Sequence, residues 1–420
     1  MKRALLGTTA LIGAGLAGSL GAAPALAESP IKLTVGGFFR TAYLVVLDDD
    51  GSGPENTNQE PGDDKAEDGV FSDSEIHFSG RTVLDNGLEV GARVELEGED
   101  DDGDQIDEAW TYFAGGFGEF RIGSDDEALA NACVLPPGGT ANFSAFSPNQ
   151  WGANAFNLLS PAGLISPFGA VSNSACTGVD DKSDAQKIVY ISPLFHGFQL
   201  TASYTPNPGS ETHGDGVGAH LGMPPKLSDD TSPAFDADAD SDASVYVTYS
   251  YQGRNWGLTW GGGGSWEMGT DSTENVDFED QDFYQTALNI DIDRFSFGAA
   301  FEYYHDLNSF NFIGADTSID RNAWVAGGGI AYAYNAWTFG AQYSYRQDTF
   351  RTHVGGVDTK KEQVQQRAAA TVNYTLGPGI NLDGEFAYTW RDQDPENLAI
   401  DFNNDDYSGM EFGIGTALAF

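Results

Sequence analysis

The chain ends Met410-Glu411-Phe412-Gly413-Ile414-Gly415-Thr416-Ala417-Leu418-Ala419-Phe420, and the reading of this stretch decides the fold. Met410, Phe412, Ile414, Leu418 and Phe420 share one parity with Thr416, while Glu411, Gly413, Gly415, Ala417 and Ala419 take the other. Successive side chains of a strand point to opposite faces, so this strand is greasy on one side only. Placed last in the chain, it is the strand that closes a sheet.

The same sidedness recurs upstream. Ile380, Leu382, Phe386, Tyr388 and Trp390 oppose Asn381, Asp383, Glu385, Thr389 and Arg391; Leu88, Val90, Ala92, Val94 and Leu96 oppose Glu89, Arg93, Glu95 and Glu97. A row of ionised side chains needs water, so the polar faces enclose a wet interior and the apolar faces look outward. A packed soluble core has the opposite arrangement.

At the other end, Lys2 and Arg3 precede an apolar stretch and the small-residue site Ala25-Leu26-Ala27, the pattern of a secretory signal peptide over residues 1–27. No later window offers the roughly 20 mostly apolar residues of a spanning helix, so residues 28–420 can cross a bilayer only as strands. Alternating segments of about 10 residues recur from Ile31 onward, and the expected fold is all-β: a closed antiparallel up-and-down transmembrane barrel of about 16 strands.

Connection lengths alternate. Asp85-Asn86-Gly87, Gly253-Arg254-Asn255, Asp293-Arg294 and Asn335-Ala336 are tight-turn sequences. Long, acidic or Gly/Pro/Ser-rich stretches take the other side, including residues 124–186, 206–242 and 348–363. Phe198, Trp256, Phe295, Trp337 and Phe420 lie near short connections or the C-terminus, and Tyr251, Tyr303, Tyr345 and Trp390 near long ones, as two aromatic girdles require. The Gly261–Gly264 and Gly327–Gly329 runs lack the helix and the Lys-Ser/Thr ending of a phosphate loop, and read as sites of curvature and close packing.

The formal net charge of -43 repels phosphate backbones and excludes nucleic acid as a partner. Asp236, Asp238, Asp240 and Asp242 alternate with small residues in one acidic run, without the glycine and glutamate of an EF-hand, so only weak calcium binding is expected there and no cofactor is required. The two cysteines, Cys133 and Cys176, fall within one connection of an exported chain, where an oxidising compartment favours a disulfide.

That connection, residues 124–186, is too long for a hairpin loop and carries many apolar residues, so it is placed inside the barrel as a pore-constricting third loop. Asp125, Asp126 and Glu127 stand at its start and Asp180, Asp181 and Asp184 at its end, while Arg40, Arg81, Arg93 and Arg121 point inward by parity. An acidic loop facing a basic wall would set a transverse field across the constriction. Arg346, Arg367 and Arg391 share the inward parity, as does His77.

The signal, the alternating segments, the long third loop after Phe120-Arg121-Ile122-Gly123 and the terminal Phe420 together resemble a general diffusion porin of Gram-negative outer membranes, in particular the alphaproteobacterial type. The resemblance implies passive diffusion of small hydrophilic solutes and ions, a homotrimer with one pore per protomer, and a setting among outer-membrane lipid and lipopolysaccharide. From the charge, the pore is expected to prefer cations. The rivals are a substrate-selective channel for a sugar or an anion, a hydrolase on a barrel scaffold, and a secreted calcium-binding β-protein. Neither HExxH nor GxSxG occurs, so the chain does not read as an enzyme.

Overall fold

The computed structural model describes residues 30–48, 68–98, 106–146, 176, 185–206, 239–270, 276–307, 309–314, 316–393 and 407–420. The expected signal peptide lies outside them. Its strands are β1 (Lys32–Asp48), β2 (Asp68–Val83), β3 (Glu89–Glu97), β4 (Ile106–Gly115), β5 (Gly118–Ser124), β6 (Gln186–Ile191), β7 (Phe198–Thr205), β8 (Ala239–Gln252) and β9 (Trp256–Thr270). They continue as β10 (Val276–Phe278), β11 (Asp282–Ile292), β12 (Phe295–His305), β13 (Phe310–Phe312), β14 (Thr317–Tyr334), β15 (Trp337–Val354), β16 (Val357–Gly377), β17 (Ile380–Gln393) and β18 (Tyr407–Ala419). One short helix, α1 (Ala128–Ala132), follows β5.

Each long strand pairs antiparallel with its neighbours in chain order, and β18 returns to β1 from Phe38 opposite Ala419 to Asp48 opposite Gly409. The circuit is a closed 16-strand barrel. The remaining two strands, β10 and β13, are three residues each and pair with one another at one rim. There Phe310 and Ile319 bury themselves against Phe278, Phe312 and Phe350.

The parity argument is met side chain by side chain. Leu382, Phe386, Phe412 and Leu418 are exposed on the outer surface, with Ile414 at 67%, whereas Asp383, Glu385 and Glu411 are buried on the inner face. Hydrocarbon covers the first set in place of a core.

Short turns join the strands at one rim, and those at Asp293-Arg294 and Asn335-Ala336 are two residues long. Asp293 and Asn335 hold φ of 54° and 55°, the left-handed geometry that lets two strands reverse without splaying. Ring pairs at this level include Phe295 with Tyr332 at 4.7 Å and Trp337 with Tyr374 at 4.5 Å. The opposite girdle includes Trp324 on Tyr345 at 4.8 Å.

Two local expectations are corrected. Residues 348–363 are not a loop: β15 and β16 run on in register to a tight turn at Gly355-Gly356, with Thr352 opposite Thr359. Their charge resembled a solvated loop because alternate residues, such as Asp348, face the lumen. Tyr251 belongs to the short-turn girdle, 4.8 Å from Trp256, because β8 ends one residue later.

Candidate functional site

The third loop leaves β5 after Ser124 and rejoins the wall at Gln186, and its described part, residues 125–146, lies inside the barrel along the inner wall. It crosses the strands in sequence. The backbone N–H of Ala128 donates to Ser203 Oγ on β7 (2.9 Å) and that of Leu129 to Ser244 Oγ on β8 (3.0 Å). Ser265 on β9 donates to Glu127 Oε2 at 2.7 Å. Gln285 on β11 donates to the Val134 carbonyl (3.0 Å), and Asn289 to that of Leu135 (2.8 Å).

Farther round, Gln342 on β15 donates to the carbonyls of Pro136 and Pro137 at 3.2 and 3.3 Å and accepts from the Ala145 N–H at 2.8 Å. Thr371 on β16 donates to the Gly138 carbonyl (2.5 Å), and Asp383 on β17 accepts from the side chain of Asn142 (2.7 Å). Arg40 on β1 donates to the Ala141 carbonyl at 3.2 Å. A loop whose own secondary structure is one short helix must find partners for its other buried peptide groups, and the polar inner face of the barrel supplies them.

Shape follows the same path. Phe143 is wholly buried in a pocket with Ala42 and Leu44, and a Cβ on Gly413 would come within 2.5 Å of its ring. Phe146 lies over Gly327, where a Cβ would stand 2.7 Å from the ring. The glycine runs read from the sequence as close-packing sites thus face the loop with Gly261 and Gly327, while Gly262 and Gly328 lie on the opposite, outward parity.

The disulfide joins Cys133, just after α1, to Cys176, with 5.8 Å between their Cα atoms. The backbone N–H of Cys176 meets Glu302 on β12, so the bridge fastens two parts of the loop at the wall. 

The wall over β1 to β5 meets the loop at β1, through Arg40 and the pocket of Phe143, and at the loop root on β4 and β5, and it carries the four expected arginines. Arg40 pairs with Asp73 on β2, and Arg81 lies 3.6 Å from Glu89. Arg93 pairs with Glu95 and donates to His77 Nδ1 at 2.9 Å, and His77 Nε2 lies 2.6 Å from Glu75 and 3.1 Å from Glu95. Arg121 pairs with Glu119 (2.7 Å) and Asp125 (3.3 Å) and lies over the Trp110 ring at 4.4 Å.

The expected division into an acidic loop and a basic wall is therefore corrected for Asp125, which ion-pairs with Arg121 beside it, as close sequence neighbours at the loop root can. Burial pushes the Asp125 carboxyl above the usual range, against the pull of Arg121, Asn131 and Lys187. Asp126 is tied back to β4 by its N–H to Glu108 Oε1 at 3.1 Å, and Glu127 is buried against β9. Asp180, Asp181 and Asp184 lie outside the described residues, as does the side chain of Arg391.

Of the expected calcium ligands, Asp236 and Asp238 are outside the described residues. Asp240 and Asp242 belong to β8, and Asp242 is buried opposite Thr205 and Glu267. Sequence reasoning missed Glu108, whose carboxyl meets that of Glu95 across β3 and β4, and Lys187, whose amine donates to the Asp125 carbonyl. It also missed Gln285, Asn289 and Gln342; the signal was a carboxamide on the inward parity of a strand, where a wet wall does not demand one.

A closed barrel with an apolar outside, a charged inside and a loop along its inner wall defines a transmembrane channel protein. The chain belongs to the Gram-negative porin family, whose model matches residues 7–394, and it lies in the outer membrane. No curated protein matches. Among solved structures, it is similar to in-vitro folded OmpT, an outer membrane protein of Vibrio cholerae in its trimer form, with 14% identity and a TM-score of 0.54 over 93% of this chain and 100% of that one. It is also similar to an anion-selective porin from Comamonas acidovorans, with 15% identity and a TM-score of 0.51 over 93% and 100%. At these identities the likeness is one of fold.

Proposed function

We propose that the protein is a passive diffusion channel for small hydrophilic solutes and ions, that it prefers cations, and that it assembles as a homotrimer among outer-membrane lipid and lipopolysaccharide. The observation carrying the cation preference is the pairing on the wall over β1 to β5. Arg40, Arg81, Arg93 and Arg121 each have a carboxylate partner, so these arginines leave no net positive charge on that surface, and Glu75 stands on it as well. The net charge of -43 extends that bias to the whole chain. Carboxylates in a confined aqueous path concentrate cations and exclude anions, most strongly at low salt.

Reversal potentials of the purified protein in a planar bilayer under a salt gradient test the selectivity. Cation preference that weakens as salt rises is the expected result, and anion preference overturns it. Conductance that saturates with one solute and is blocked by it would replace free diffusion with a substrate-selective channel.

A further inference from the structure

We propose that two inner-wall glycines, Gly329 on β14 and Gly340 on β15, are positioning residues that set the bore of the diffusion channel proposed above. The loop sequence Pro136-Pro137-Gly138-Gly139 crosses the barrel wall at these strands. A Cβ on Gly329 would overlap the Pro137 carbonyl oxygen, and one on Gly340 would overlap that of Gly138, both far inside contact distance. The contact is thus backbone against backbone, an approach open only to residues without a side chain.

The loop matches the wall. Gly138 holds a φ of 107°, and a Cβ on it would stand 2.8 Å from the carbonyl oxygens of both Ile330 and Ala341. Three glycines, one from the loop and two from adjacent strands, therefore let the chain lie flat on the wall. Gln342 and Thr371 then reach its carbonyls at 3.2, 3.3 and 2.5 Å. Any side chain at position 329 or 340 lifts the Pro137–Gly138 peptide towards the axis, because a β-barrel wall held by ladders on both sides yields less than a loop.

The lumen then loses cross-section at the level of the Pro137–Gly138 peptide while the outer surface stays unchanged. Two hydrogen atoms in place of methyl groups decide how much of the interior the loop occupies. Gly384 supplies the control. On β17, it would direct a Cβ to the Val372 side chain at 3.1 Å and to no loop atom within 4 Å.

The experiment compares the full-length parent with Gly329→Ala, Gly340→Ala and Gly384→Ala in planar bilayers, with heat-dependent gel mobility as the check on folding. The expected result is a fall in single-channel conductance of about 1.5-fold for each wall variant and none for Gly384→Ala, with a lower size limit for sugar entry into liposomes. Unchanged or increased conductance in the folded wall variants overturns the gauge; a parent without conductance overturns the channel reading instead. If both wall variants fail to fold, Gln342→Ala removes the tether without adding volume. Broader open-state currents are then expected, and an unchanged current distribution overturns the proposal.

Discussion

Two parts of one inner wall, built on the same alternating sequence, have different environments. Over β1 to β5 the ion pairs remain partly open: the side chains of Arg40, Arg93 and Arg121 are 17%, 34% and 18% exposed. Over β14 to β18 they are shut in. Arg321 and Arg346 both grip Asp348 at 2.8 Å, and Arg367 holds Glu385 and Glu411 at 2.6 Å each, with Arg367 only 2% exposed. The first wall keeps its arginines partly exposed, while the second encloses its ion pairs. On the proposed reading, charge on the first bears on selectivity, and on the second on stability.

The largest expected effect is on the closed wall. Arg367→Ala leaves Glu385 and Glu411 buried without their cation and should cost about 3–5 kcal/mol, read by urea unfolding in detergent micelles. Arg81→Ala, at a side chain 50% exposed, should stay within about 1 kcal/mol. Equal losses would erase the distinction between the walls.

Next in size is the disulfide. The paired substitution Cys133→Ser with Cys176→Ser should lower stability by about 2–4 kcal/mol in the same unfolding assay, since the bridge closes a ring with a sequence separation of 43. A smaller effect sharpens the comparison from the open side. Glu89→Gln, which leaves Arg81 without its carboxylate, should lower the cation-to-anion permeability ratio about two-fold at 0.1 M salt and much less at 1 M, whereas Glu411→Gln should leave the ratio unchanged. The smallest concerns the acidic connections, where weak calcium binding is proposed from charge alone. Chelation should lower the melting temperature by a few degrees, and superimposable melting curves would remove that proposal.

Much of this was legible in local pattern. The opposition of Phe386 to Glu385 shows which face meets lipid, because strand geometry fixes the parity of every residue once one is known. The bounds of the third loop were legible too, since the alternation stops at Ser124 and resumes at Gln186. The run from Asp348 to Gln363 misled because charge on alternate residues serves a wet wall as well as it serves a loop. Tyr251 misled because its height depends on where β8 turns.

The chain's periodicity and export pattern by themselves determined a barrel with oily residues outside, ionic ones inside and an extra segment to accommodate. Only the tertiary structure decided which wall that segment covers. It therefore decided that Arg121 meets Asp125 rather than an opposing surface, that Arg367 is enclosed, and that Gly329 and Gly340 lie beneath a peptide. Alternation is a property of neighbours along one strand, whereas the loop's position arises from contacts between residues some 200 apart in the chain, as in the bond from Gln342 to Pro136.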